Sequence, residues 1–370
     1  MPGTLTVTSR KHEVEVDTAN EHSWNEIIEN FIDVNIYQTW AWGAVKSGKG
    51  HTSHILLRRD TQIVAVAQTR IFKIPNLNAG IAYVRWGPLW RRLNIENDIE
   101  DLYQIITAMR REYVDRRGLY LRIIPYELDS EQSNLRELYE KAGLRGRKNT
   151  ERTLYISLRE PLETIKGNIS RNWRKKLHKA EKNNLNVVYG TSNDLFDIVD
   201  QLCQEMQSRK TWLTTIPVGE YRNMQRILPD NQKLAIFVCQ SEKKPIAILV
   251  GSALGDIGME LIAATGNAGL ELRGSYLLRW KMIEYLKENC CNFYNLNGIN
   301  LKRNPGGYQF KSGLCGKKGL AIEYLGIYEA CTNPLSYIIA KIGDIAIALD
   351  SSRLANRLFG VLRKQYKMGT

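Results

Sequence analysis

Six cysteines are spread over 370 residues without one Cys-x-x-Cys pair, and the adjacent Cys290 and Cys291 cannot easily bridge each other. Neither a disulfide framework nor a paired-cysteine zinc site is indicated, and cysteines used in this way fit a reducing, cytoplasmic setting. The five histidines form no cluster, which argues against a histidine-based triad. Gly-x-x-x-x-Gly-Lys-Ser/Thr, Gly-x-Ser-x-Gly and His-Glu-x-x-His are all missing, so nucleotide hydrolysis, serine hydrolysis and zinc chemistry have no support. No N-terminal segment joins basic residues to an apolar run. The most lipid-like stretch, Leu335 to Leu349, is broken by Lys341 and Asp344, so no membrane span is expected.

What is present is a long, basic chain with ample apolar content. Its length exceeds the usual single-domain range of roughly 100–200 residues, so two domains are expected. The net charge of +13 implies a polyanionic partner: nucleic acid, an anionic membrane surface or a phosphorylated substrate.

The order of predicted elements repeats. Helices at Trp24–Phe31 and Gln38–Lys46, a hairpin of His54–Arg58 with Gln62–Ile71, a strand at Ile81–Trp86, a helix over Asp98–Arg117 and a strand at Leu119–Ile124 follow from apolar spacing and β-branched runs. The series returns as Leu195–Arg209, Gly219–Ile227, Leu234–Cys239 with Pro245–Ala253, Ile257–Ala264, Ser275–Glu288 and Phe293–Leu296, roughly 175–180 residues later. This reads as a duplicated α/β domain. Trp40 and Trp42 cannot both face inward on one helix, so one of them faces a partner or cleft or, as is commoner for tryptophan, packs while partly exposed, with Lys46 one turn beyond Trp42. Residues 338–349 are expected to pack on the first domain, with a basic surface beyond at Arg353, Arg357, Arg363, Lys364 and Lys367.

Two stretches carry candidate chemistry. In Lys166 to Lys182, Ile169, Trp173, Leu177 and Ala180 recur at helical spacing, while Arg171, Arg174, Lys175, Lys176, Lys179 and Lys182 cover the other faces and Glu181 alone offsets them. So lopsided a run repels itself unless phosphates neutralise it. The second stretch follows the strand ending at Leu296. Asn297-Gly298 and Pro305-Gly306-Gly307 read as turn and loop, and Tyr308, Phe310 and Lys311 place one ammonium among aromatic rings. Such a group suits transfer between two bound reactants, where negative charge develops on a carbonyl oxygen and positioning matters more than a protein nucleophile. An ordinary protonated lysine is sufficient for this.

Gln38–Lys46, Ser170–Lys182, Tyr294–Ile299 and Tyr308-Gln-Phe-Lys-Ser-Gly313 together resemble the FemABX peptidyltransferases, over nearly the whole chain. The resemblance implies two tandem GNAT-like domains without a coiled-coil arm, the first of residues 1–157 completed by 317–370, the second of residues 158–316. It implies transfer of an amino acid from aminoacyl-tRNA to an amine of a lipid-linked or nucleotide-linked peptidoglycan precursor, by a cytoplasmic enzyme with possible peripheral contact at the inner membrane surface, and with no metal or cofactor. Phe310 and Lys311 match the family's aromatic-lysine pair at the transfer centre. Lys46 matches a lysine that meets precursor phosphate, with Trp42, Tyr308, Asn297 and Arg85 as further substrate-binding candidates and the basic helix as the tRNA contact. Two departures mark the acceptor side: Ile124 precedes Pro125 where some members carry an acid, and Leu261-Ile-Ala-Ala264 lacks an aromatic residue. Gly269 to Gly274 is a degenerate version of a coenzyme A loop, which keeps an acyl-CoA-dependent N-acyltransferase as the alternative, and an inert RNA- or membrane-binding duplicate as a third reading.

Overall fold

The structure, a computed structural model, describes residues 12–48, 50–127, 133–148, 152–210, 216–299, 304–316 and 319–349. The first half runs β1 (His12–Val16), α1 (Glu21–Ile28), α2 (Trp40–Ser47), β2 (Thr52–Arg59), β3 (Gln62–Lys73), β4 (Gly80–Arg85), α3 (Ile99–Arg110), β5 (Tyr120–Ile124), α4 (Ser133–Lys141) and β6 (Arg145–Arg147). The second half runs β7 (Arg152–Ser157), α5 (Leu162–Asn168), α6 (Arg171–Lys182), β8 (Asn186–Gly190), α7 (Leu195–Arg209), α8 (Val218–Ile227), β9 (Ala235–Ser241), β10 (Lys244–Ser252), β11 (Ile257–Thr265), α9 (Asn267–Glu271), α10 (Gly274–Glu288), β12 (Phe293–Gly298) and α11 (Pro305–Cys315). After these come β13 (Leu320–Glu323), β14 (Ile327–Ala330) and α12 (Pro334–Leu349).

Two seven-stranded sheets result, in the orders β1-β2-β3-β4-β5-β14-β6 and β13-β7-β12-β11-β10-β9-β8. In each, an antiparallel hairpin (β2–β3, β9–β10) leads into a third antiparallel strand (β4, β11). A helix (α3, α10) then crosses over so that the following strand (β5, β12) pairs in parallel. The repeat read from the sequence is therefore a repeat of topology. Both sheets are mixed, mostly antiparallel and flanked by helices. Among the described residues the longest helix has 16 residues, and no coiled-coil arm is present.

Apolar alternation explains how the layers close. Ala82 and Val84 of β4 and Leu121 and Ile123 of β5 meet Leu102, Ile105, Ile106 and Met109 of α3; of the stripe expected at helical spacing, Ile99, Leu102, Ile106 and Met109, the last three are buried and Ile99 is exposed. Leu278, Met282, Ile283 and Leu286 of α10 do the same on the second sheet. A third cluster joins the halves: Tyr37, Trp42, Trp86 and Tyr126 pack with Phe196, Leu202 and Met224 of α7 and α8 and with Ile248 and Ile262 of the second sheet.

Three expectations need correction. The two tryptophans of α2 both pack: Trp42 is buried in the shared core, and Trp40 stacks flat on His54 (ring centroids 4.7 Å apart) in a neighbouring cluster. This is possible because α2 lies between β3 and α8 and is covered on two sides. Strand pairing also departs from the expected division. β7, placed on the first-domain side of residue 157, joins the second sheet beside β12, and β13 joins it too, so of the strands after Gly316 only β14 enters the first sheet. Finally, Ile338, Ile342 and Ile345 of α12 are more than half exposed rather than packed. The basic residues Arg353 to Lys367 lie outside the described residues.

Candidate functional site

β11 and β12 pair over only three positions, Ile257 to Met259 with Phe293 to Asn295, and then part. Asn295 fixes the place. Its buried Oδ1 accepts from Thr153 Oγ1 (2.5 Å) and from the Asn297 amide (2.8 Å), while Nδ2 faces the hydroxyls of Tyr155, Tyr126 and Tyr324 at 3.2–3.4 Å. An amide used on both ends in this way pins β12 and folds it back on itself, and Asn297 takes a left-handed φ of 62°.

The carbonyls so turned receive Lys311. Its Nζ donates to the oxygens of Leu296 (2.6 Å) and Gly298 (3.3 Å) and stands 3.9 Å from Glu260 Oε1. Two of the three ammonium donors are thereby used. The turn residues of this stretch predict a loop; the structure has helix α11 instead, with Asn304 accepting from the Gly307 amide as N-cap and Pro305 at the first helical position. A rigid helix, rather than a loop, therefore aims the lysine.

Around it lies a cavity of about 750 Å³ whose lining includes Glu260, Tyr276, Arg279, Asn297, Phe310 and Lys311. Glu260, in the strand just beyond the last β11–β12 pair, is a hub: it accepts from Arg279 Nη2 (2.9 Å) and from the Tyr294 hydroxyl (3.3 Å). The Arg279 guanidinium lies 4.6 Å over the Phe310 ring, which also meets Tyr276 edge-on at 4.8 Å. Burial lowers the pKa of Lys311 from the usual lysine range, Glu260 opposes that and Arg279 adds to it. Burial raises the Tyr294 hydroxyl well above its ordinary value, with Glu260 adding to it, so Tyr294 remains a neutral donor to Glu260.

The expected site residues divide into groups. Lys311, Phe310 and Asn297 line the cavity, whereas Tyr308 packs on the core of the second half from the same helix. Lys46, Trp42 and Arg85 are elsewhere, on the first half: Lys46 pairs with Glu220 of α8, and the Arg85 guanidinium stacks 4.5 Å over Tyr37. The basic helix adjoins the cavity. Trp173, Leu177 and Ala180 anchor α6, while Arg171, Arg174, Lys175, Lys179 and Lys182 are exposed. Lys176 reaches to 5.6 Å over the Tyr276 ring, and Trp173 stands 5.8 Å from Phe310. Glu260 and Arg279 escape a reading of the sequence. The signal is weak: one acid within Gly-Met-Glu-Leu-Ile-Ala-Ala, and one cation beside Leu278 in a helix that also carries Lys281, Glu284, Lys287 and Glu288.

No protein-family model and no curated protein sequence matches this chain. Solved structures do. That of FemX is 13% identical with a TM-score of 0.75, covering 88% of this chain and 99% of that one. The C-terminal domain of a putative lysylphosphatidylglycerol synthetase from Agrobacterium fabrum is 13% identical with a TM-score of 0.54, over 86% and 94% of the two chains. A conserved protein of unknown function from Bacteroides thetaiotaomicron is 9% identical with a TM-score of 0.55, over 86% and 99%. At such identities the likeness is one of fold, and this chain, with its two topologically repeated halves, has the fold of FemX.

Proposed function

We propose that this chain is an aminoacyltransferase that moves an amino acid from aminoacyl-tRNA to an amine of a peptidoglycan precursor stem peptide. The observation that carries the reading is the ammonium of Lys311, held by two carbonyls at the mouth of parted strands and bordered by a helix with five exposed cations. In the reaction the acceptor amine attacks the ester carbonyl of the donor. A C–N bond forms, negative charge collects on the carbonyl oxygen, the bond between the carbonyl carbon and the ribose oxygen breaks, and the proton lost by the amine ends on that oxygen as the ribose hydroxyl. Lys311 supplies the charge opposite that oxygen, Phe310 and Tyr276 exclude water, and Arg279 with Glu260 fixes the ring and the ammonium. α6 takes tRNA phosphates, and Lys46 takes phosphate of the lipid- or nucleotide-linked acceptor, exchanging Glu220 for it. No metal or cofactor is required, and the reaction belongs to the cytoplasm.

The acyl-CoA alternative has one observation in its favour. Gly269, Arg273 and Ser275, around the start of α10, line the same cavity, where helix amides suit a pyrophosphate. Purified protein with labelled aminoacyl-tRNA and precursor decides between them. Label is expected in the precursor. No transfer with any amino acid, together with transfer from acyl-CoA, would overturn the reading; an inert duplicate would transfer neither.

A further inference from the structure

The outer face of α12 is apolar and uncovered. Leu335, Ile338, Ile342 and Ile345 are 52–61% exposed. At about 100° per residue they fall within one sector of roughly 80°, opposite the buried Ser336 and Ala340. Ser336 anchors the helix to the first sheet, accepting from the Gly80 amide (3.0 Å) and donating to Gly118 O (2.6 Å).

The exposed face extends beyond the helix. Strand register puts Phe72 opposite Ile81 and Ile81 opposite Tyr120, so these three project from one side of the sheet, the side on which Tyr337 and Lys341 of α12 meet Tyr120. Phe72 is 43% exposed there, and the β3–β4 turn adds Ile74 and Leu77; Asn333, just before α12, donates to Asn78 O in that turn (2.8 Å). Seven large apolar side chains on two adjacent elements thus form one surface, more than an ordinary soluble face carries.

Its rim is cationic. Arg145 and Arg147 of β6 lie on the same side of the sheet as α12, Lys341 is on the helix, and Lys73 ends β3. Glu329 and Asp344 are the nearby carboxylates; Arg122 binds both, Arg147 also pairs with Glu329 and Lys341 with Asp344, so cations outnumber carboxylates along the rim. We propose that this face docks on an anionic lipid bilayer, apolar side chains entering the acyl boundary and the basic rim meeting headgroups. A second copy is a poorer occupant, because a two-fold interface would set this rim against itself. Among the described residues no helix is long and apolar enough to cross a membrane, so the docking is a surface one. It does not depend on the reaction proposed above.

Vesicle sedimentation of the full chain tests it, with phosphatidylglycerol–phosphatidylcholine against phosphatidylcholine alone. Binding is expected only to the anionic vesicles, weakening with salt. Ile342→Asp, and separately Leu77→Asp in the other element, should each reduce it about tenfold at an unchanged melting temperature. The proposal fails if the folded wild type ignores anionic vesicles, or if both variants bind as well as wild type. It also fails if light scattering shows a dimer that Ile342→Asp dissociates while vesicle binding persists.

Discussion

The two halves share a topology and differ at one junction. In the first sheet the parallel strands β4 and β5 pair over five positions, Ile81 to Arg85 with Tyr120 to Ile124, and the Trp86 amide extends the ladder by donating to Ile124 O (2.6 Å). Trp86 then stacks on Tyr126 at 4.3 Å and plugs the end. In the second sheet the corresponding pair stops after three positions, and Lys311, Glu260 and Arg279 occupy the opening. The same topology is closed in one sheet and open in the other. Under the proposed function the closed half, with no opening at that junction, is a platform carrying Lys46, while the open half holds the charge. The buried charges are tolerable in the opening because Arg279 Nη2 pairs with Glu260 and Lys311 with two carbonyls, although Arg279 Nε has no hydrogen-bond partner.

This contrast breaks first at Lys311. Lys311→Met keeps the stem and removes the charge, so turnover should fall by about 10²–10³-fold with little change in substrate affinity, a pattern read from kcat and KM together. Equal losses in affinity would mean that the opening only binds. Next in size is the basic helix. Alanine at Arg174, Lys175 and Lys179 should weaken tRNA binding and reduce the slope of log affinity against log salt by about 0.7–0.9 for each phosphate no longer neutralised, while kcat at saturating donor is kept. An unchanged slope would make α6 a merely solvated helix. Smallest is Lys46→Met on the closed half, expected to raise KM for the phosphorylated acceptor with kcat nearly intact. Thermal stability should change little, since a partly exposed pair such as Lys46 with Glu220 contributes about 0–1 kcal/mol.

Much of the architecture is legible in the sequence because periodicities of 2 and 3.6 mark strands and helices directly, and the two halves repeat them in order. α6 is equally plain, its anchor residues and its cations being separable by spacing alone. Other features are hidden for definite reasons. Pro305-Gly306-Gly307 carries turn residues that also serve a capped helix start, so α11 has the look of a loop. Alternation in Leu320 to Tyr328 cannot say that the chain changes sheets between Glu323 and Ile327. The isoleucines of α12 look the same whether covered or bare. Lys311 stands out through its aromatic neighbours, but Glu260 and Arg279, 19 positions apart, become a pair only when α10 crosses back over β11.

The central claim is that the ammonium of Lys311, in its charged form, acts in the open half. Its pKa is lowered, chiefly by burial, so the active protonated form should be lost as pH rises through a value below the ordinary lysine range. The measurement is the single-turnover rate of amino-acid transfer as a function of pH, on wild type, Lys311→Arg and Glu260→Gln. Wild type should fall on the alkaline side. Lys311→Arg, slower because its fork reaches differently, should lose that limb because arginine stays charged. Glu260→Gln, which removes the carboxylate that holds the lysine's proton, should move the limb to lower pH. An alkaline limb that is the same in all three proteins would contradict the account.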